Sequence, residues 1–208
     1  MEKHYTEADF KKLSWDEYQV AVSTIYEAVC DFCERQKLSV DMIIPIIRGG
    51  GVLGISLSHF LNVTSIYPCQ YKYFREIVNG EVKYIPRLLL STLNDIANKE
   101  DQHVVLITEG NHARGGTAQR CIDLVKDTLP RSTIIYSSVG RDYAHRDSLN
   151  KTDFECYGFL TNETESLTQE ECNKLKVKDK FVVYPWENVI EELNEVNESL
   201  NSEEIKND

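Results

Sequence analysis

An α/β domain with a largely parallel β-sheet flanked by helices is what the sequence predicts, and three observations predict it. Short apolar runs of strand length alternate with longer segments of helical periodicity. Two of the runs, "MIIPII" and "VVLIT", are nearly continuous in apolar residues, as strands buried on both faces are. Each then leads into a glycine-rich segment, "RGGG" or "ARGGT", that turns the chain into a helix.

Taken in order, the first element is a helix from "SWDEYQVAVSTIYEAVCDFCERQ", opened by Ser14 and Glu17 at the S-x-x-E spacing of a capping box. Val20, Ile25, Val29 and Phe32 supply its apolar face. A buried strand in "VDMIIPIIRGGG", a helix in "VLGISLSHFLNV" and a second strand in "TSIYPCQYKYF" follow. The β-rich arms around Asn79-Gly80 then predict a hairpin, because that dipeptide readily adopts the two positive φ angles of a tight turn. Beyond the polar loop "LNDIANKEDQ", which with Glu100 and Asp101 reads as solvated, come the strand "HVVLITEG", a glycine turn and the helix "TAQRCIDLVKDTL". Pro130 ends that helix, and "STIIYSSVG" and "KFVVYPWENV" read as further strands. Residues 1–187 form the expected domain, and 188–208 an acidic C-terminal helix or tail.

Composition narrows the function. At 208 residues, 41% hydrophobic and 27% charged, the chain suits one soluble globular domain. No apolar run approaches the roughly 18 residues of a membrane helix. The opening "MEKHYTEADFKK" is charged throughout, so no secretory leader is expected and a cytoplasmic location is. A formal charge of −11 argues against nucleic acid as a partner. Cys30 and Cys33 form a C-x-x-C without a second pair, and read as ordinary helix residues in a reduced protein.

The glycine segments carry the functional reading. Where a strand enters a helix through a tight turn, unpaired N–H groups and the helix dipole favour an anion such as phosphate. Two such sites suggest a ligand with two phosphate groups some distance apart, with Arg48 and Arg114 adding charge-assisted bonds. "GGGVLG" also fits the dinucleotide pattern G-x-G-x-x-G, but the next strand ends "IYPCQ" without the acid that would hold a ribose.

The ordered set "SWDEY", "IIPIIRGGGVLG", the hairpin, "VVLITEGNHARGGTA", "IIYSSVG" and "FVVYPWE" resembles the type I phosphoribosyltransferases, nearest their xanthine–guanine/hypoxanthine branch. The likeness runs from about Ser14 to Asn188. It implies transfer of a phosphoribosyl group from phosphoribosyl pyrophosphate (PRPP) to a purine base with Mg2+, in a dimer or tetramer. It further implies that Arg48 and Gly49 bind pyrophosphate, that Arg114, Gly115, Gly116 and Thr117 cradle the 5′-phosphate, and that Glu109 holds the ribose. The hairpin would be a flexible flap, and a small hood near the C-terminus would place Phe181 on the base and the Val182 backbone at its edge.

Departures from that pattern are specific. The family's loop carries a second acid where this chain has Gly110, a third where it has Ala113, and a Thr where it has Arg114. No metal ligand is certain. The base-contacting Lys is matched by Ser138, with Arg141 as the alternative donor. His112 is either a substitute proton acceptor in catalysis or a solvent-facing loop residue, the latter being the expected state. Retained phosphate sites with fewer acids leave two functions: an active transferase, or a binding protein that senses a nucleotide or PRPP without turnover.

Overall fold

The computed structural model describes residues 5–78, 81–146, 149–179 and 181–204. Its centre is a four-stranded, all-parallel sheet in the order β2 (Met42–Pro45), β5 (Val104–His112), β6 (Thr133–Asp142), β7 (Phe154–Thr161). Helices α1 (Trp15–Gln36) and α2 (Gly49–Leu61) cover one face, and α3 (Gly116–Thr128) covers the other. The connections after the neighbouring strands β2 and β5 therefore diverge to opposite faces, which opens a crevice at the carboxyl ends of those strands.

Both halves of the expected capping box are made at α1, where Ser14 accepts from the Glu17 amide and Glu17 accepts from the Ser14 amide. The buried stripe of α1 is Tyr18, Ala21, Val22, Ile25, Val29, Phe32 and Cys33, while Val20 faces outward. That shift by one residue brings Ala21 against β7: a Cβ on Gly158 would lie 2.4 Å from the Ala21 Cβ. Strand β7, with its aromatic "FECYGFLT", and the short helix α4 (Gln169–Leu175) are elements that the reading of the sequence lacks.

The "TSIYPCQ" segment is not a strand of its own. It touches β2 only through the bridges Ile43–Ile66 and Ile46–Cys69, and then runs on as the first arm of the hairpin. The arms β3 (Cys69–Val78) and β4 (Glu81–Ser91) pair antiparallel down to Val78 opposite Glu81. The Asn79-Gly80 turn lies outside the described residues. "FVV" is likewise a separate strand, β8 (Phe181–Val183), paired in parallel with β1 (Phe10–Lys12) away from the central sheet. The acidic C-terminal segment forms α5 (Val189–Glu204).

Candidate functional site

At the end of β5 the chain does something its local sequence hides. The strand continues past Glu109 and Gly110 through Asn111 and His112, two residues beyond the expected strand, before Ala113 to Gly115 turn into α3. Gly115 has φ 72°, a left-handed conformation that favours glycine. The room above it is also taken, because a Cβ there would lie 2.8 Å from both Cε1 and Nε2 of His112. His112 is thus no solvent-facing loop residue: it is 2% exposed and its ring forms the floor of the turn.

Around that floor is a short polar chain. The buried Tyr136 hydroxyl, from β6, makes a short hydrogen bond to Glu109 Oε2 and meets His112 Nδ1 at 2.8 Å. Burial raises the Glu109 carboxyl to about 7, against the opposing pull of the Tyr136 hydrogen bond and the Arg141 charge. Burial, then the charges of Arg141 and His145, lower His112 to about 4, with Asp142 and a hydrogen bond to the His145 backbone acting in the other direction. Both groups are consequently easiest to hold in their neutral forms, a carboxylic acid and an imidazole.

Glu109 and His112 line a cleft of about 400 Å³ together with Tyr73, Asn111 and the run from Ala113 to Thr117. The Tyr73 hydroxyl, from β3, sits 3.0 Å from where a Cβ on Gly116 would be, so the hairpin already lies over the turn. The first-turn amides of α3 leave the helix without intrahelical acceptors, which gives the cleft its positive end.

The first glycine segment is built differently. Gly49, Gly50 and Gly51 are the first turn of α2 rather than a loop before it, with Arg48 as the N-cap and the Ile47–Arg48 peptide cis. The Gly50 and Gly51 amides already donate to Ile46 O and Arg48 O at 2.9 Å, so they are not available to an anion. Gly50 and Gly54 serve packing, since added Cβ atoms would lie 2.1 Å from Thr108 O and 2.9 Å from Thr108 Oγ1. The G-x-G-x-x-G match is therefore a close approach of helix to strand. Arg48 remains exposed at the helix end.

The same approach crowds the position of the missing second acid. A Cβ on Gly110 would stand 3.0 Å from Gly49 Cα and 3.1 Å from Gly49 C, so a side chain there presses on the backbone of α2, which must give by a few tenths of an ångström. Gly110→Asp is expected to lower stability by about 1–3 kcal/mol in urea denaturation, as overpacking does. No gain of activity is expected from it, alone or with Ala113→Asp. A Gly110→Asp protein with unchanged stability and raised turnover would show that the loop had merely lost its acid.

The base-side expectations fare unevenly. Ser138 lies beside Glu109 in register but is fully buried within β6, with no surface to offer a ligand. Arg141 is 1% exposed and does not reach into the cleft; it donates to Glu155 Oε2 at 2.6 Å and to His145 O at 3.3 Å. Phe181 has one ring face stacked on Phe10 (5.1 Å, 20°) and meets Tyr5 edge-on, while Val182 is buried in the core. Two unanticipated residues join this end to β5. Tyr184 donates to Gly110 O at 2.7 Å, and Glu163 accepts from Asn111 Nδ2 at 3.0 and 2.9 Å. Burial raises Glu163 to about 7 as well, opposed by that Asn111 hydrogen bond. Only the "YPW" neighbourhood hinted at Tyr184; nothing local marks Tyr136 or Glu163.

Among the described residues no three His, Cys, Asp or Glu side chains are grouped to hold a metal ion, and no helix is long and apolar enough to cross a membrane. The parallel sheet, the crevice at its carboxyl edge and the hairpin laid over a glycine turn define an α/β protein of the type I phosphoribosyltransferase-like fold. Among solved structures the chain is similar to a purine phosphoribosyltransferase from Pyrococcus horikoshii Ot3, with 18% identity over 86% of this chain and 95% of that one (TM-score 0.60). It is similar too to a hypothetical protein from Neisseria gonorrhoeae with bound ppGpp, at 17% identity over 94% and 99% of the two chains (TM-score 0.68). The xanthine–guanine–hypoxanthine phosphoribosyltransferase of Helicobacter pylori shares 11% identity over 89% and 99% (TM-score 0.56). Identities this low carry the fold alone. No protein-family model and no curated protein matches the sequence.

Proposed function

We propose that the protein binds PRPP in the cleft between β5 and α3 and transfers its phosphoribosyl group to a nucleobase, a purine in the simplest case. The supporting observation is the placement of Glu109 beside the first turn of α3, a carboxylate next to an anion site in one cleft. Arg114 and the Gly115–Thr117 backbone would hold the 5′-phosphate, and Glu109 the ribose hydroxyls. Arg48 and the Gly49 amide would meet the pyrophosphate. Tyr73 and the hairpin would close over the reacting centre and exclude water, which an oxocarbenium-like ribose requires. The base would be received beyond Gly110, toward Phe181 and the Val182 backbone. Among the described residues no three ligating side chains are grouped, so in this reading Mg2+ would enter with the diphosphate oxygens of PRPP. A homodimer or homotetramer is the expected assembly.

A second reading is favoured by the contact of Gly49 with Gly110. With no second acid at Gly110, where α2 is packed close, the same cleft would hold a nucleotide or PRPP without turnover. The bound ppGpp in the Neisseria protein makes a guanosine polyphosphate a natural candidate for that case. Isothermal titration with PRPP, purine monophosphates and ppGpp, each with and without Mg2+, separates the two. PRPP binding followed by pyrophosphate release on adding a base supports transfer. Nucleotide binding with no PRPP binding overturns it in favour of a sensor, and binding of none of these refutes both.

A further inference from the structure

We propose that Glu109, Tyr136 and His112 form a proton wire from the carboxylate side of the cleft to the floor of the glycine turn, in which His112 exchanges tautomers when Glu109 gains a proton. The inference rests on the proposed function only for what the two ends of the wire face. The wire itself stands on three hydrogen-bonding groups in contact, two of them almost wholly buried.

With the carboxyl hydrogen on Oε2, the oxygen that meets Tyr136, the proton inventory leaves two consistent states. A tyrosine hydroxyl has one hydrogen to give, and each nitrogen of a neutral imidazole is either donor or acceptor. With Glu109 ionised, the Tyr136 hydrogen goes to Oε2, so the Tyr136 oxygen must accept from His112 Nδ1–H. Nε2 is then a bare acceptor beneath Gly115. With Glu109 protonated, Oε2–H donates to the Tyr136 oxygen and Tyr136 donates to Nδ1, so the ring carries its hydrogen on Nε2.

One proton converts the first state to the second. It adds to Nε2, the Nδ1 hydrogen passes to the Tyr136 oxygen, and the Tyr136 hydrogen passes to Oε2. An Nε2–H and an Oε2–H bond form, the Nδ1–H bond breaks, and the tyrosine exchanges one O–H for another. Tyr136 and His112 are neutral before and after, and the charge change falls on Glu109. Both hydrogen bonds survive with their directions reversed.

The surroundings choose where the proton rests. Among the described residues, Arg141 and Asp142 of β6, His145 of the turn after it, Cys121 of α3 and Tyr184 after β8 are charged or titratable groups that act on the wire. Burial and Arg141 oppose an imidazolium, whereas burial favours a neutral Glu109, so the carboxyl is the terminus. The consequence lies at the other end: Nε2 is one of the two ring atoms 2.8 Å from the Cβ position of Gly115, so proton uptake puts a hydrogen on the nitrogen beneath the turn, on a ring that also hydrogen-bonds the His145 backbone.

The test is a long-range 1H–15N spectrum of the histidine rings in the full chain, without ligand, from pH 5.5 to 8.5. His112→Gln assigns the signals. Wild type is expected to pass from the Nδ1–H tautomer at high pH to the Nε2–H tautomer at low pH, with the population ratio inverting by more than tenfold. Tyr136→Phe, which removes one oxygen, is expected to abolish the crossover, and so is Glu109→Gln, which keeps the size of the side chain. A single tautomer throughout in wild type, an imidazolium in place of the Nε2–H form, or an unchanged crossover in either variant would overturn the wire. Because no ligand is present, failure of PRPP binding leaves this result untouched, and the two failures are distinguishable.

Discussion

Glu109→Gln is expected to lower kcat/KM for PRPP about 100-fold while changing the affinity for inorganic phosphate less than about threefold. A carboxylate that accepts from ribose hydroxyls makes charge-assisted bonds worth about 1.5–3 kcal/mol each, and an amide forfeits most of that. The phosphate turn, built from the α3 backbone, keeps its own donors. The same variant carries a stability signature of opposite sense. Glu109 is raised from 4.5 to about 7 in the fold, so the native state holds a proton that the unfolded chain has released between those values. Stability therefore falls as pH rises through that window, by about 3 kcal/mol in all at ~1.4 kcal/mol per unit. Glutamine mimics the protonated acid. Glu109→Gln should then be more stable than wild type at pH 8 and equal to it near pH 4, as urea denaturation at the two pH values will show. His112, lowered to about 4, works the other way, since its contribution is present above 6.5 and is lost as pH falls toward 4. The wild-type profile is consequently flatter than either group alone would make it. A variant less stable than wild type at pH 8 would refute the assignment of a buried, raised Glu109.

Gly50→Ala and Gly51→Ala are expected to act in opposite directions although they are neighbours in one helical turn. At Gly50 the new methyl would lie 2.1 Å from Thr108 O and 2.8 Å from Thr108 C, backbone atoms of β5 that cannot yield locally. Relief requires α2 to lift from the sheet, which also stretches the 2.8 Å hydrogen bond from Thr108 Oγ1 to Gly50 O. We expect a loss of at least about 3 kcal/mol, a large part of the roughly 5–15 kcal/mol that holds a domain together. At Gly51 the nearest atom is the Ile47 Cγ2 methyl at 3.4 Å, an ordinary contact. There the lower backbone entropy of alanine in a helix should stabilise by about 0.5–1 kcal/mol. Thermal melts of the two proteins provide the comparison. Equal effects would mean that the glycines are set by the turn and not by the approach of helix to strand.

Several elements were legible because their causes are local. Ser14 and Glu17 are three residues apart and satisfy each other's orphan groups at α1, whatever the rest of the chain does. The run from Val104 into Gly115 and the helix after it read correctly as strand, turn and helix, because apolar continuity and a glycine are signals carried by the segment itself. The hairpin arms were legible for the same reason. Strand β7 was not: "FECYGFLT" mixes polar, aromatic and glycine residues, and Gly158 is there to admit Ala21 of α1, a residue far away in sequence.

The candidate site divides along the same line. Glu109 and the Gly115–Thr117 turn could be named from the chain alone, since a carboxylate ahead of a glycine turn and helix start is a pattern of adjacent residues. What that pattern does was decided by folding. Burial beside the neighbouring strand turns Glu109 into a group titrating near neutrality, against the lowering pull of the hydrogen bond from Tyr136 of that strand. His112, expected in solvent, lies under the turn because β5 runs two residues further than its apolar run suggests. Ser138 and Arg141, plausible base contacts by position, are sealed in the sheet, and Gly110, where the pattern has an acid, is packed against Gly49. The sequence by itself determined α1, β2, α2, the hairpin arms, β5 and α3 and the placement of a glycine turn at the end of β5, because spacing within a segment governs backbone hydrogen bonding and which face is apolar. Burial, proton affinity and the space left beside a glycine belonged to the tertiary structure, because each depends on atoms that only packing brings within a few ångströms.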